Sequence, residues 1–196
     1  MTAALLLILG AILYRITTVY STDLANFAPL MALAFCGAVY LKPRGWWAMP
    51  FLALMLSDLW INQVYAARFG YTYGLGEMAV RASVFAAALG IGALVARRKS
   101  WLNLFAGCLG GSMLFYSVTN TSSWVVDPFY AKSVAGWWQA LTVGHPGFPP
   151  TLYFFRNTLV SDLLFTGVFV AVMEWRARRI GAPSLLASTP PLTRAA

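Results

Sequence analysis

The sequence predicts an all-α, polytopic membrane protein with six transmembrane helices and both termini in the cytoplasm. Three observations predict it. First, 60% of the 196 residues are apolar and only 10% are charged, whereas an ordinary soluble domain carries about 25% charged residues. So little charge cannot cover a water-facing surface, and the mean hydropathy of +0.68 agrees. Second, the apolar residues fall into six runs separated by short polar breaks. Third, the basic residues are distributed unequally between alternate breaks, which is how an inner membrane protein sets its orientation. The net charge of +8 is therefore an orientation signal, and no nucleic-acid partner is expected.

A spanning helix needs about 20 mostly apolar residues. The first candidate covers 2–20; "MTAALLLILGAILYR" lacks the charged start and small-residue cleavage site of a secretory signal, so it reads as a retained helix. The second, 27–41, is short and suits a place covered by protein, where the bilayer need not be fully crossed. "KPRG" (42–45) separates it from the third, 46–65, and "RFGYTYGLG" (68–76) leads to the fourth, 77–96. "RRKS" (97–100) precedes the fifth, 101–119. A long connection, 120–150, follows and is rich in aromatic and turn residues; it reads as a lid or an aromatic anchor, with a short interfacial helix within 130–141. The sixth span is 151–175. The chain thus divides into a membrane domain, 1–176, with the outer lid loop 120–150, and a polar, Pro-rich tail, 177–196, expected to be flexible.

Even-numbered connections and the tail carry Lys42, Arg44, Arg97, Arg98, Lys99, Arg176, Arg178, Arg179 and Arg194. Odd-numbered connections carry Arg15, Arg68 and Lys132, while Arg81 and Arg156 fall inside spans. Nine against three places both ends inside and the long connection outside.

Ionisable residues within spans are costly, so they mark candidate sites. Ser-Asp occurs twice, in "FLALMLSDLW" (51–60) and "NTLVSDLLFTG" (157–167). Asp58 and Asp162 both fall in the outer half or near the midplane, together with Glu77, Arg81 and Arg156. Three acids against two arginines leaves one carboxylate to be neutral, to reach water or to meet a cation from elsewhere. Asp58, Asn62 and Tyr65 share one helical face; so do Ser112, Tyr116 and Asn120, and Thr158, Asp162 and Thr166, with Asn157 and Ser161 alongside. The bland reading is that Asp58 pairs with Arg81 or Arg156 and locks helices together. Three polar stripes at one depth favour an outward-facing pocket. Its expected contacts are Asp58, Asn62, Arg81, Asn120, Arg156, Asn157 and Asp162, with Tyr116 and Trp124 stacking and Trp137 and Trp138 closing the lid.

The lone histidine, His145, lies in a Gly/Pro loop, and no Cys/His spacing suits a metal. There is no phosphate-binding loop or dinucleotide fingerprint, and no histidine within a span to serve a Ser-His-Asp triad. No cofactor and no catalysis are expected. Cys36 and Cys108 sit in apolar runs and read as small buried hydrophobes.

"NFAPLMALAFCGAVYL" (26–41), "LALMLSDLWI" (52–61), "SMLFYSVTNTSSWV" (112–125) and "YFFRNTLVSDLLFTGVF" (153–169) resemble an uncharacterised family of six-helix bacterial membrane proteins. That family is similar in layout to the substrate-binding S components of energy-coupling factor transporters. The resemblance implies an S-component-like bundle holding a vitamin-sized ligand near its outer face. It also implies docking on a transmembrane coupling subunit driven by two ATPases. The expected function is therefore substrate binding for transport of a small, polar, ring-bearing solute. The alternatives are a structural or accessory subunit of a larger membrane complex and, third, an intramembrane enzyme using Asp58 and Asp162 as a pair.

Overall fold

The structure, a computed structural model, describes residues 2–21, 24–70, 72–182 and 184. Among these residues it contains α-helices and one 3-10 turn and no strand. The helices are α1 (Thr2–Thr18), α2 (Leu30–Tyr40), α3 (Ala48–Phe69), α4 (Leu75–Val95), α5 (Trp101–Val126), α6 (Val134–Leu141) and α7 (Thr151–Arg179), with the 3-10 turn at Arg44–Trp47. All six expected runs form helices, and α6 lies within 130–141. Asn120 is not in a loop, however, because α5 continues to Val126. The helix expected to end near 175 runs on to Arg179, and the remaining tail beyond 184 lies outside the described residues.

Of the six expected spans, length bears out three. Three helices, α4, α5 and α7, with 21, 26 and 29 residues, are long and apolar enough to cross a membrane. α1 has 17 residues and α2 only 11, a rise of about 16 Å for α2, roughly half a hydrocarbon core. α3 has 22 residues but carries Asp58, Asn62, Gln63 and Arg68 and is not among the three.

α2 is short because it is the centre of the bundle. All eleven of its residues are buried, and α1, α3, α4, α5 and α7 pack around it. Without water to drive helices together, close approach depends on small residues. A side chain at Gly92 of α4 would put its Cβ 2.5 Å from the Phe35 carbonyl oxygen and 2.8 Å from Ala38 Cβ. At Gly107 of α5 it would meet the Phe35 ring at 2.6 Å. Gly90, two residues from Gly92, has nothing within 4 Å. Gly92→Ala is therefore expected to lower stability by about 1–3 kcal/mol through overpacking, while Gly90→Ala, in open space on the same helix, is expected to keep or slightly raise the melting temperature. Thermal melts of the two variants in one detergent check this.

The surface is apolar and the interior is partly polar. Leu6, Leu9 and Leu13 of α1 and Leu52, Leu56 and Trp60 of α3 are exposed. Arg15, Asp58, Ser112, Asp162, Thr166 and Glu174 are buried. Large exposed apolar areas call for a covering, and three of the helices are long and apolar enough for that covering to be lipid.

Candidate functional site

Each buried carboxylate has a structural partner. Asp58 is paired with the Arg15 guanidinium, which also donates to the Ser57 hydroxyl; Arg15 and Asp58 are 4% and 7% exposed at their side chains. The expected partners, Arg81 and Arg156, are thus corrected to Arg15. Arg15 itself was expected in an odd-numbered connection, but α1 extends past it to Thr18. It lies on the face formed by Ala4, Ile8, Ala11, Arg15 and Thr18, all buried.

Among the described residues Asp162 has no cationic partner, and it needs none. α2 begins after Pro29, which offers no side-chain cap. Oδ1 of Asp162 accepts from the backbone N–H groups of Met31 and Ala32, both at 3.0 Å, and Oδ2 accepts from the Ser112 hydroxyl at 2.8 Å. These are the second and third residues of α2, the positions an N-cap side chain normally serves. Asp162 thus caps α2 from α7, and the helix dipole favours its negative charge. Nearby, the Asn157 amide donates to the Ala25 carbonyl at 3.0 Å and the Thr158 hydroxyl to the Asn26 carbonyl at 3.3 Å. The polar stripe of α7 therefore anchors the segment entering α2. Glu77 accepts from the Gly74 N–H at 2.9 Å and caps α4.

Two cavities open at the end of the bundle that carries the α5–α7 connection. One, of about 280 Å³, lies between α1, α3, α4 and the α1–α2 connection; its walls include Arg15, Tyr65, Arg68 and Leu30. The other, of about 250 Å³, lies between α4, α5 and α7; its walls include Tyr116, Asn120, Tyr130, Phe148, Phe155 and Thr158. Asn26, Tyr73 and Arg81 line both and form their shared edge. Asn26 takes a left-handed backbone, φ 59, which asparagine tolerates better than most residues. The Arg81 guanidinium lies 4.0 Å over the centre of the Tyr73 ring. Tyr73 is fixed by Asn62, whose amide oxygen accepts from the Tyr73 N–H at 2.7 Å. In the second cavity, the Tyr116 and Phe155 rings are 4.3 Å apart and the Tyr116 hydroxyl donates to the Leu141 carbonyl. Burial, with Asp127 nearby, raises the Tyr130 hydroxyl above its usual range, so it remains a neutral donor at pH 7.

The expected site residues are thus dispersed. Arg81, Tyr116 and Asn120 line a cavity, and Asn62 supports its edge. Asp58, Asn157 and Asp162 are among the helix contacts rather than the walls. Arg156 is exposed, with its guanidinium 4.4 Å from the Tyr153 ring centre. Trp124 and Trp137 border a separate open groove with Lys132, and Trp138 is 61% exposed. The second cavity is covered instead by Tyr130, His145, Phe148 and Pro149. Sequence reasoning missed Asn26, Tyr73 and Tyr130 because they lie in connections, where helical spacing says nothing. Among the described residues no His/Cys/Asp/Glu group could hold a metal.

An all-helical bundle with an apolar shell, buried polar ties and three helices able to span a bilayer defines a membrane-associated protein. The chain belongs to the Family of unknown function (DUF6580), which matches residues 1–185. No curated protein and no solved structure matches it.

Proposed function

We propose that this chain is the membrane-embedded, substrate-binding subunit of a transporter of the energy-coupling-factor kind, taking up a small, polar, ring-bearing solute. The observation that carries this reading is the pair of adjoining cavities joined at Asn26, Tyr73 and Arg81, with Tyr116 and Asn120 in one wall. Aromatic faces and a few placed polar groups are what a small-molecule site needs. The basic asymmetry of the sequence, nine against three, supports both termini in the cytoplasm of a bacterial inner membrane and the cavities towards the exterior. In this reading six helices are embedded and α2 is shielded by its neighbours. The chain makes and breaks no bond; a coupling subunit with its ATPases supplies the driving force. Ala4 and Ala11 of α1 are buried, so such a partner would meet α1 through its leucines and Gly10.

A second reading, a structural subunit of a larger complex, draws on Asp58 and Asp162 serving as internal ties and on exposed Val134, Trp138 and Val143 near α6. Thermal shift of the detergent-purified chain against water-soluble vitamins and their precursors separates the two. A ligand at a hundred times its dissociation constant should add about 2.7 kcal/mol of stability, and Asn120→Ala with Tyr116→Ala should remove the shift. No shift with any compound, together with co-purification in fixed stoichiometry with an unrelated complex, would leave the structural reading standing.

A further inference from the structure

We propose that the solute is an organic anion, a carboxylate or phosphate attached to a ring, held by Arg81 at its charged end and by the Tyr116 cavity at its ring. This rests on the solute-binding reading and names the ligand's chemistry. Arg81 sits on the edge common to both cavities. Among the described residues it has no carboxylate at ion-pair distance: Asp58 is matched by Arg15, and Glu77 caps α4. What faces the guanidinium is the Tyr73 ring. Arg81 is half-buried and open to both cavities, and a planar guanidinium is the group best suited to carboxylate or phosphate.

The rest of the wall has the same sign. Arg15 is neutralised by Asp58, but Arg68 also borders the first cavity, exposed and 5.2 Å from the Tyr20 ring centre. Among the described residues neither cavity wall contains Asp or Glu. The second cavity adds the paired rings of Tyr116 and Phe155 and the Asn120 amide, which suit a flat, polar ring. Arg68 at the mouth attracts the anion, and Arg81 receives it between the two chambers.

A lipid phosphate offers similar charge, so the test separates the two sources. The full chain in detergent is titrated with two matched pairs, benzoate against benzamide and phenyl phosphate against phenol, with binding read by ligand-observed NMR. The anion of each pair is expected to bind about tenfold tighter or better, as loss of one charge-assisted contact implies. Arg81→Gln abolishes that preference, Arg81→Lys keeps part of it, and Arg98→Gln, with the same change in net charge, leaves it intact. Equal binding of charged and neutral members overturns the anion assignment while the solute-binding reading stands. No binding by any of these probes or by the vitamin panel overturns both. Nanodiscs provide the lipid arm: Arg81-dependent stabilisation by phosphatidylglycerol over phosphatidylcholine, not competed by benzoate, assigns the charge to lipid and overturns the solute form.

Discussion

Replacing Arg15 by leucine is expected to cost about 3–5 kcal/mol, because it leaves Asp58 as a buried charge without its counter-ion. Asp58 is 7% exposed at its side chain, and its Oδ2 has no hydrogen-bond partner among the described residues. It depends on Arg15. The pair, with the Arg15 bond to the Ser57 hydroxyl, ties α1 to α3. Replacing both residues, Arg15→Leu with Asp58→Leu, should restore most of the loss, since apolar substitutes for a whole buried pair are often neutral or stabilising. Thermal melts of the two single variants and the double variant give the coupling. Near-additive losses would show that the two residues act separately.

Asp162→Ala should be nearly as damaging, by about 3 kcal/mol, for another reason. It removes the acceptor for two N–H groups at the start of α2 and for the Ser112 hydroxyl. Those donors stay buried under α7 and cannot turn to water. Asp162→Asn keeps one acceptor oxygen and should lose less than half as much. Because α2 is the element on which the other helices pack, the loss should be global. Amide exchange in α4 and α5 should rise together with exchange in α2. An effect confined to residues 29–33 would mean that the cap is local.

Some of this was legible in the sequence. The face of α1 could be read from Ala4, Ile8, Ala11 and Arg15, spaced as a helix spaces one side, with an arginine in an otherwise apolar row. Arg15 was counted with the first connection although the expected span, 2–20, contains it. The stripe Ser112, Tyr116 and Asn120 correctly pointed inward, yet its first member meets Asp162 and the other two meet a cavity. One helical face can serve packing at one depth and a cavity at the next. The role of Asp162 was not readable, because its partners, Met31 and Ala32, are backbone groups about 130 positions away in the chain. The cavity cover was misassigned too: Trp137 donates to the Thr121 hydroxyl at 3.0 Å, while Phe148 and Pro149, from a Gly/Pro segment, do the covering.

These assignments divide the intramembrane charges into two kinds. Asp58 and Asp162 hold the bundle, and Arg81 is the one the proposal gives to a ligand. Side-by-side thermal melts of Arg15→Leu, Asp162→Ala and Arg81→Gln in one detergent, without ligand, test that division directly. The account predicts that Arg81→Gln melts within about 1 kcal/mol of the parent chain, the scale of its contact with the Tyr73 ring, while the other two melt far lower. If Arg81→Gln proved as destabilising as they are, Arg81 would be another tie, and the division would be wrong.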